Sequence, residues 1–360
     1  MRSKPTEVPE MTTGHGCVDV HGHGVPRDFM EWAATSLPGG TDVQRTDKGS
    51  YVVTFPGARP TRPLKPQLFD LEQRVSWLDA QGAAVQLVGP WLDVMGQELP
   101  PDVGGEWVRR LNDSLAAATA GTGGRFRALA TMHLADPKAA VAELERCAAE
   151  LGMTGALVPT DFPVGDLADP EYSVVFEAAA ALRMPLILHP PTIGPSSCVA
   201  GMKTWGAVYG RLLDTTMAAA RLISIGVFDK HPDLQIVLVH GGGMLPFQVG
   251  RLERHIADRA VGGGGSPASA EGHVKRFYYD TVLMEPSALR LLAELVGTER
   301  ILIGSDYPFV DDKPPLLGAV GQLTLSDDDR QAVLRENAAA LFRVNLGGGS
   351  AGKAAGDGGN

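Results

Sequence analysis

Eight short apolar runs recur along this chain, and at least one helical stretch separates each from the next. The runs are Val18–His23 (VDVHGH), Ala83–Gly89 (AAVQLVG), Phe126–His133 (FRALATMH), Gly155–Thr160 (GALVPT), Pro185–His189 (PLILH), Gln235–His240 (QIVLVH), Phe277–Val282 (FYYDTV) and Ile301–Asp306 (ILIGSD). Their length and β-branched content predict strands. Between them, Leu68, Leu71, Val75 and Leu78 recur at three- and four-residue spacing, which predicts a helix over about 68–81. Further helices are expected over about 105–120, 137–151, 170–183, 211–229, 244–259, 286–296 and 326–343. Asp136 before Pro137 and Ser326 before an acidic turn read as helix caps. Strands separated by helices must run parallel. Eight such units are the repeat of a (β/α)8 barrel. An open doubly wound sheet is the competitor, but no G-x-G-x-x-G turn follows His23.

The expected fold is therefore α/β, a (β/α)8 TIM barrel with a small insertion after strand 1. The insertion, about 38–67, is rich in Gly, Pro and Thr and holds one strand-like piece at Tyr51–Phe55. The barrel is expected over 17–345 as one domain, with a flexible N-terminus at 1–16 and a disordered Gly-rich tail at 346–360. A net charge of −10 argues against partners such as nucleic acid or an anionic membrane. No apolar run reaches the roughly 18 residues that a membrane-spanning helix needs, and no secretory signal opens the chain. Cys17, Cys147 and Cys198 are widely spaced and odd in number, which suits a reducing, cytoplasmic location rather than a disulfide framework.

In such a barrel the chemistry sits at the carboxyl ends of the strands. Strand one ends in His21 and His23, strand five in His189, strand six in His240 and strand eight in Asp306. Residues two apart in a strand share a face, so His21 and His23 can aim at one point, and Gly22 between them lets another group approach. A lone histidine at a strand end is more often a hydrogen-bonded structural residue. Four of the nine histidines plus an aspartate at one mouth are hard to explain as packing, because burying them without a metal leaves several polar groups in want of partners. His133, ending strand three, could join this site or the wall beside it. His15, His231, His255 and His273 read as surface.

His-x-His on strand one, His on strands five and six, and Asp on strand eight resemble the amidohydrolase superfamily of metal-dependent barrels. The segments GVFDKHPDLQIVLVH (Gly226–His240), HGGGMLPFQVGRLER (His240–Arg254), ILIGSDYPF (Ile301–Phe309) and RENAAALF (Arg335–Phe342) look like its aminocarboxymuconate-semialdehyde decarboxylase branch, over about 17–343. The resemblance implies that His21, His23, His189 and Asp306 ligate one divalent ion, zinc first and manganese as the rival. It implies His240 as the acid/base histidine beside that ion, and Arg251 as an arginine reaching a substrate carboxylate across a homodimer interface. Binuclear relatives in the superfamily the chain resembles need a bridging lysine at the end of strand four. Val158-Pro159-Thr160-Asp161 offers none, so one ion is expected. The branch's second arginine is missing near Gly49–Val53; Arg59 and Arg62 stand nearby. The loop after His189, with Cys198, Lys203 and Trp205, also departs from the branch's tryptophan-rich stretch. The substrate is accordingly expected to differ from aminocarboxymuconate semialdehyde itself.

The resemblance implies a metal-dependent, non-oxidative decarboxylase acting on a small aromatic or unsaturated carboxylic acid. In that reading His240 or Asp306 delivers a proton to the carbon that carbon dioxide leaves. The alternative is a metal-dependent hydrolase of an amide, lactone or related bond, with Asp306 or His240 as base. A barrel that has lost its activity is a third class, opposed by the five intact residues.

Overall fold

The computed structural model describes residues 16–260, 269–310 and 316–346. Its strands are β1 (Cys17–Gly24), β2 (Asp42–Arg45), β3 (Tyr51–Thr54), β4 (Ala83–Pro90), β5 (Phe126–Ala128), β6 (Ala156–Pro159), β7 (Leu186–His189), β8 (Ile236–Leu238), β9 (Tyr278–Asp280) and β10 (Ile301–Leu302). β2 and β3 form an antiparallel hairpin. The other eight pair in parallel, in the orders β1-β4-β5 and β10-β9-β8-β7-β6. Parallel bridges Ala130–Ala156 and Gly22–Tyr307 join the two sheets at both seams. Backbone bonds from Leu157 N to the Ala130 carbonyl and from Val20 N to the Ile303 carbonyl, each 2.8 Å, reinforce the closure. The ring is the eight-stranded barrel read from the sequence.

The two-residue period of a strand decides what lies inside. Leu157, Ile187, Val237 and Leu302, from four strands of the larger sheet, share one buried cluster. Their neighbours Leu186, Leu188, Ile236 and Leu238 pack instead with Phe176, Ala219 and Leu222 of the surrounding helices. His189 has the parity of Ile187, so the same alternation that builds the core turns His189 to the inner side. No helix among the described residues is long and apolar enough to cross a membrane.

The caps form as expected: Asp136 accepts from the amides of Lys138 and Ala139, and Ser326 from that of Asp329. The strand expected to reach His133 stops at Ala128, because Asn112 takes both the amide and the carbonyl of Thr131 (2.9 Å each) out of the ladder. The helix expected over 211–229 ends at Ser224, where Gly226 turns left-handed (φ 66°). The helix expected from 244 begins only at Val249 and runs to Ala260. Gly241, Gly242 and Gly243 take φ of 60°, 74° and 65°, and Pro246 adds a second break. Arg251 therefore sits in the first turn of that helix, whereas a helix starting at 244 would place it about two turns along.

Asp42–Arg45 was not legible as a strand, since it carries a single apolar residue, Val43. Val43, Tyr51, Val53, Phe55 and Leu64 of the insertion are buried in one cluster with Trp107. The terminal ranges expected to be unstructured lie almost wholly outside the described residues.

Candidate metal centre and active site

β1 delivers His21 and His23, β7 delivers His189, and the turn after β10 delivers Asp306. One ligand atom from each lies within 4.8 Å of the others. The ring centroids of His21, His23 and His189 stand 4.9 to 5.1 Å apart. Asp306 Oδ1 is 3.2 Å from His23 Nε2 and 3.5 Å from His21 Nε2. Gly22 is required here: a Cβ would stand 2.5 Å from the Gln86 side chain. All four side chains are buried.

The donor set fits a cation. His21 donates Nδ1–H to Asp280 Oδ2 (2.6 Å), and His189 donates Nδ1–H to the Pro190 carbonyl (2.8 Å). Each bond fixes the tautomer and leaves a bare Nε2 facing the cluster. His21 Nε2, His189 Nε2, both nitrogens of His23 and Asp306 Oδ1 have no hydrogen-bond partner. Buried lone pairs left so are costly, and a divalent ion among them removes that cost. The charge states agree. Burial pushes His23 down to about 4, aided by the charges of His21 and Arg211, and burial carries His189 well below its ordinary value. Burial alone would raise Asp306, but His21, His23 and His240 outweigh it and hold the carboxylate ionised. Burial would also depress His21, yet Asp306 and Asp280 raise it.

Asp280, at the end of β9, was not singled out from the sequence. Its Oδ1 accepts from the amides of Gly241 (2.9 Å) and Val282 (3.1 Å) while Oδ2 holds His21. One carboxylate thus ties a ligand to the turn that carries His240. Replacing it (Asp280→Ala) should lower metal affinity by about 10- to 100-fold, the usual effect of losing an outer-shell partner. Equilibrium dialysis of the pure protein measures this. In the wild type, cation affinity should rise with pH through the raised titration of His21, because a proton on Nε2 competes with the ion. His23 and His189 are already neutral there and add no such dependence.

Beneath the cluster lies a second buried network. Asp19 accepts from Ser305 Oγ (2.6 Å), Gln86 Nε2 (2.6 Å) and the His21 and Ser305 amides. Gln86 Oε1 accepts from Arg74 Nη1 (3.1 Å), and Arg74 Nη2 donates to the His23 carbonyl (2.7 Å). This chain clamps β1 against β4 and the segment after β10, holding the ligand-bearing backbone rigid.

His240 stands beside the four candidate ligands. Its ring centroid is 5.2 Å from that of His189, and Nε2 lies 3.6 Å from Asp306 Oδ2. Its Nδ1 has no partner. His240 and Asp306 both adopt left-handed φ, 56° and 55°. Strained non-glycine backbone of this kind gathers at functional sites. Trp91 and Phe309 form a wall: their rings stack at 3.7 Å, and Trp91 touches His23 at 5.0 Å.

Other sequence candidates fall elsewhere. His133 is buried against Gly104 and is not part of the ligand cluster. His273, read as surface, is buried and meets Asp229 at 3.1 Å, a correction that follows from its packing against Phe228. His231 is half-buried on Ser173, and His255 is exposed. His15 lies outside the described residues. Arg251 is exposed on its helix, and Arg59 and Arg62 are exposed in the insertion.

A closed parallel barrel with three imidazoles and a carboxylate converging at its carboxyl mouth defines a metal-dependent barrel enzyme. The chain belongs to the amidohydrolase family, whose model (Amidohydrolase) matches residues 92–344. It is 30% identical over 302 residues to gamma-resorcylate decarboxylase of Rhizobium radiobacter, covering 79% of this chain and 90% of that protein. It is 25% identical over 326 residues to 2-amino-3-carboxymuconate-6-semialdehyde decarboxylase of Dictyostelium discoideum, covering 89% and 88%. Among solved structures, dihydroxybenzoic acid decarboxylase from Polaromonas sp. JS666, with bound manganese and the inhibitor 2-nitroresorcinol, matches with a TM-score of 0.72 at 25% identity, over 92% of this chain and 97% of that one. The decarboxylase branch expected from the motifs is the branch these relatives occupy.

Proposed function

We propose that this chain is a metal-dependent, non-oxidative decarboxylase of a small aromatic or unsaturated carboxylic acid. The observation that carries the reading is the set of unpartnered ligand atoms with His240 beside them, in a chain that matches decarboxylases over most of its length. His21, His23, His189 and Asp306 would hold one divalent ion, which would supply Lewis acidity toward a bound carboxylate substrate. The Trp91–Phe309 wall offers a flat apolar face to an unsaturated ring and keeps water from it. When the carbon–carboxylate bond breaks, its electron pair stays on the ring carbon and carbon dioxide leaves. His240 gives that carbon a proton and regains one from solvent. Asp306, held ionised by three histidines, is a poor acid. It serves as ligand and as the anion that orients His240.

Three imidazoles and one carboxylate suit zinc; manganese is the rival, as the ion bound by the Polaromonas enzyme. Metal analysis of the protein as purified decides between them. Three free cysteines favour a reducing, cytoplasmic setting. The active unit in this reading is a homodimer in which Arg251 completes the neighbour's site by gripping a substrate carboxylate. Its exposure on the Val249–Ala260 helix leaves it free to do so. Mixed dimers of His240→Ala with Arg251→Ala should recover up to about half of wild-type activity per heterodimer, because one of the two sites keeps both residues. A mixture that stays dead despite proven exchange ends the shared-site idea.

The activity itself is tested by mass spectrometry on the metal-loaded protein with a panel of hydroxybenzoates, muconate-like acids and lactones. Products smaller by carbon dioxide support decarboxylation. Products larger by water, from the lactones, would establish the hydrolase instead.

A further inference from the structure

The Pro101–Ala120 and Pro137–Glu150 helices enclose a cavity of about 340 Å³, and no member of the metal cluster lines it. Gly105, Val108, Ala139 and Ala142 give it apolar walls, and His133 and Arg109 also face it. The three acids in its lining are engaged. Glu106 pairs with Arg110 (3.1 Å), Glu143 with Arg146 (2.8 Å) and Asn112 (2.7 Å), and Asp136 caps the amides of Lys138 and Ala139. Arg109 is exposed, and its guanidinium has no ion pair or hydrogen bond among the described residues. His133 is only 4% exposed, yet neither ring nitrogen has a hydrogen-bond partner. Backbone groups of Gly96, Leu99 and Gln97 approach the ring without completing a bond. Burial holds the imidazole below its ordinary range, so it is neutral and keeps one N–H to donate. The two adjacent glycines of the first helix differ. A Cβ at Gly104 would overlap the His133 ring, so packing requires that glycine. A Cβ at Gly105 would meet nothing within 4 Å. Glycine weakens a helix interior relative to alanine, and no neighbour of Gly105 calls for one.

Buried polar atoms are seldom left unpaired, and a cavity of this volume is in the range that holds small molecules. Space kept open at Gly105, orphan nitrogens on His133 and an unpaired guanidinium therefore coincide in one place. We propose that this cavity binds a small carboxylic acid with an apolar body, its carboxylate taking N–H donors from Arg109 and His133. The apolar walls cover the body of the acid, and Arg109 is the lining charge that lacks a partner. The site is separate from the metal centre, so binding there is independent of the reaction at that centre. The alternative is that His133 only plugs the space behind Gly104 and water fills the cavity.

Equilibrium dialysis of radiolabelled benzoate against the metal-loaded, full-length protein separates these possibilities. Benzoate could also occupy the metal centre, so the readout is a difference between wild type and Gly105→Leu, whose added side chain fills the cavity. At saturation, wild type should bind about one more benzoate per chain than the variant, because one extra site is open. Leucine favours the helix and meets no neighbour at its Cβ, so Gly105→Leu should fold, keep its metal and match wild-type turnover. Arg109→Gln, a change at an exposed position, guards against a folding defect in the first variant. It should weaken the extra component about ten-fold, the scale of one charge-assisted hydrogen bond. Benzylamine, of opposite charge and similar size, should show no extra site. An equal benzoate count in wild type and Gly105→Leu would overturn the proposal. So would an extra component that is untouched by Arg109→Gln, or one that benzylamine fills as well as benzoate.

Discussion

Replacing His21 and His23 together by alanine should abolish both bound metal and turnover. These two residues supply two of the four converging candidate ligand atoms, both from one strand. With half the donors gone, the remaining His189 and Asp306 offer too few ligands for a four-coordinate ion. The loss is chemical more than structural. β1 is held by Asp19, Ser305, Gln86 and Arg74 through contacts that either leave the imidazoles aside or use only the backbone of residues 21 and 23. The double variant should therefore fold, showing a cooperative melt, while metal analysis reads near zero equivalents. A full equivalent of ion retained in that variant would mean the ligands lie elsewhere.

His240→Asn should have the opposite profile. His240 is not among the four candidate ligands, and its Nε2 is 3.6 Å from the outer oxygen of Asp306. Metal content should stay close to wild type, while turnover falls by about 10² or more, the scale of a lost general acid/base. Asparagine keeps a polar group beside Asp306 and tolerates the left-handed backbone that position 240 adopts (φ 56°), so strain is not a confounder. Loss of metal in proportion to activity would make His240 a ligand and reverse the division of roles.

How far these sites can be read from the chain depends on what kind of information each needs. The barrel and the convergence of the candidate ligands are legible because a polar residue ending an apolar run lies at the carboxyl mouth, and period-two burial turns it inward, as at Leu186–His189. Asp280 obeys the same rule at the end of Tyr278–Asp280, but its work depends on which imidazole nitrogen it holds, a matter of contact across the barrel. The late start of the Val249–Ala260 helix was hidden because three consecutive glycines can accept either helical or left-handed backbone. His273 read as surface because its burial depends on the Phe228 side chain folding over it, not on its own segment.

The central claim, that His240 protonates the carbon vacated by carbon dioxide, is tested most directly by turnover in deuterated water containing labelled oxygen. With any substrate the protein converts, the account predicts a product carrying one deuterium on the vacated carbon, no solvent oxygen, and one carbon dioxide released per turnover. The deuterium-incorporating step should slow in His240→Asn while metal stays bound. A product that has instead gained labelled oxygen, with no carbon dioxide released, would contradict it.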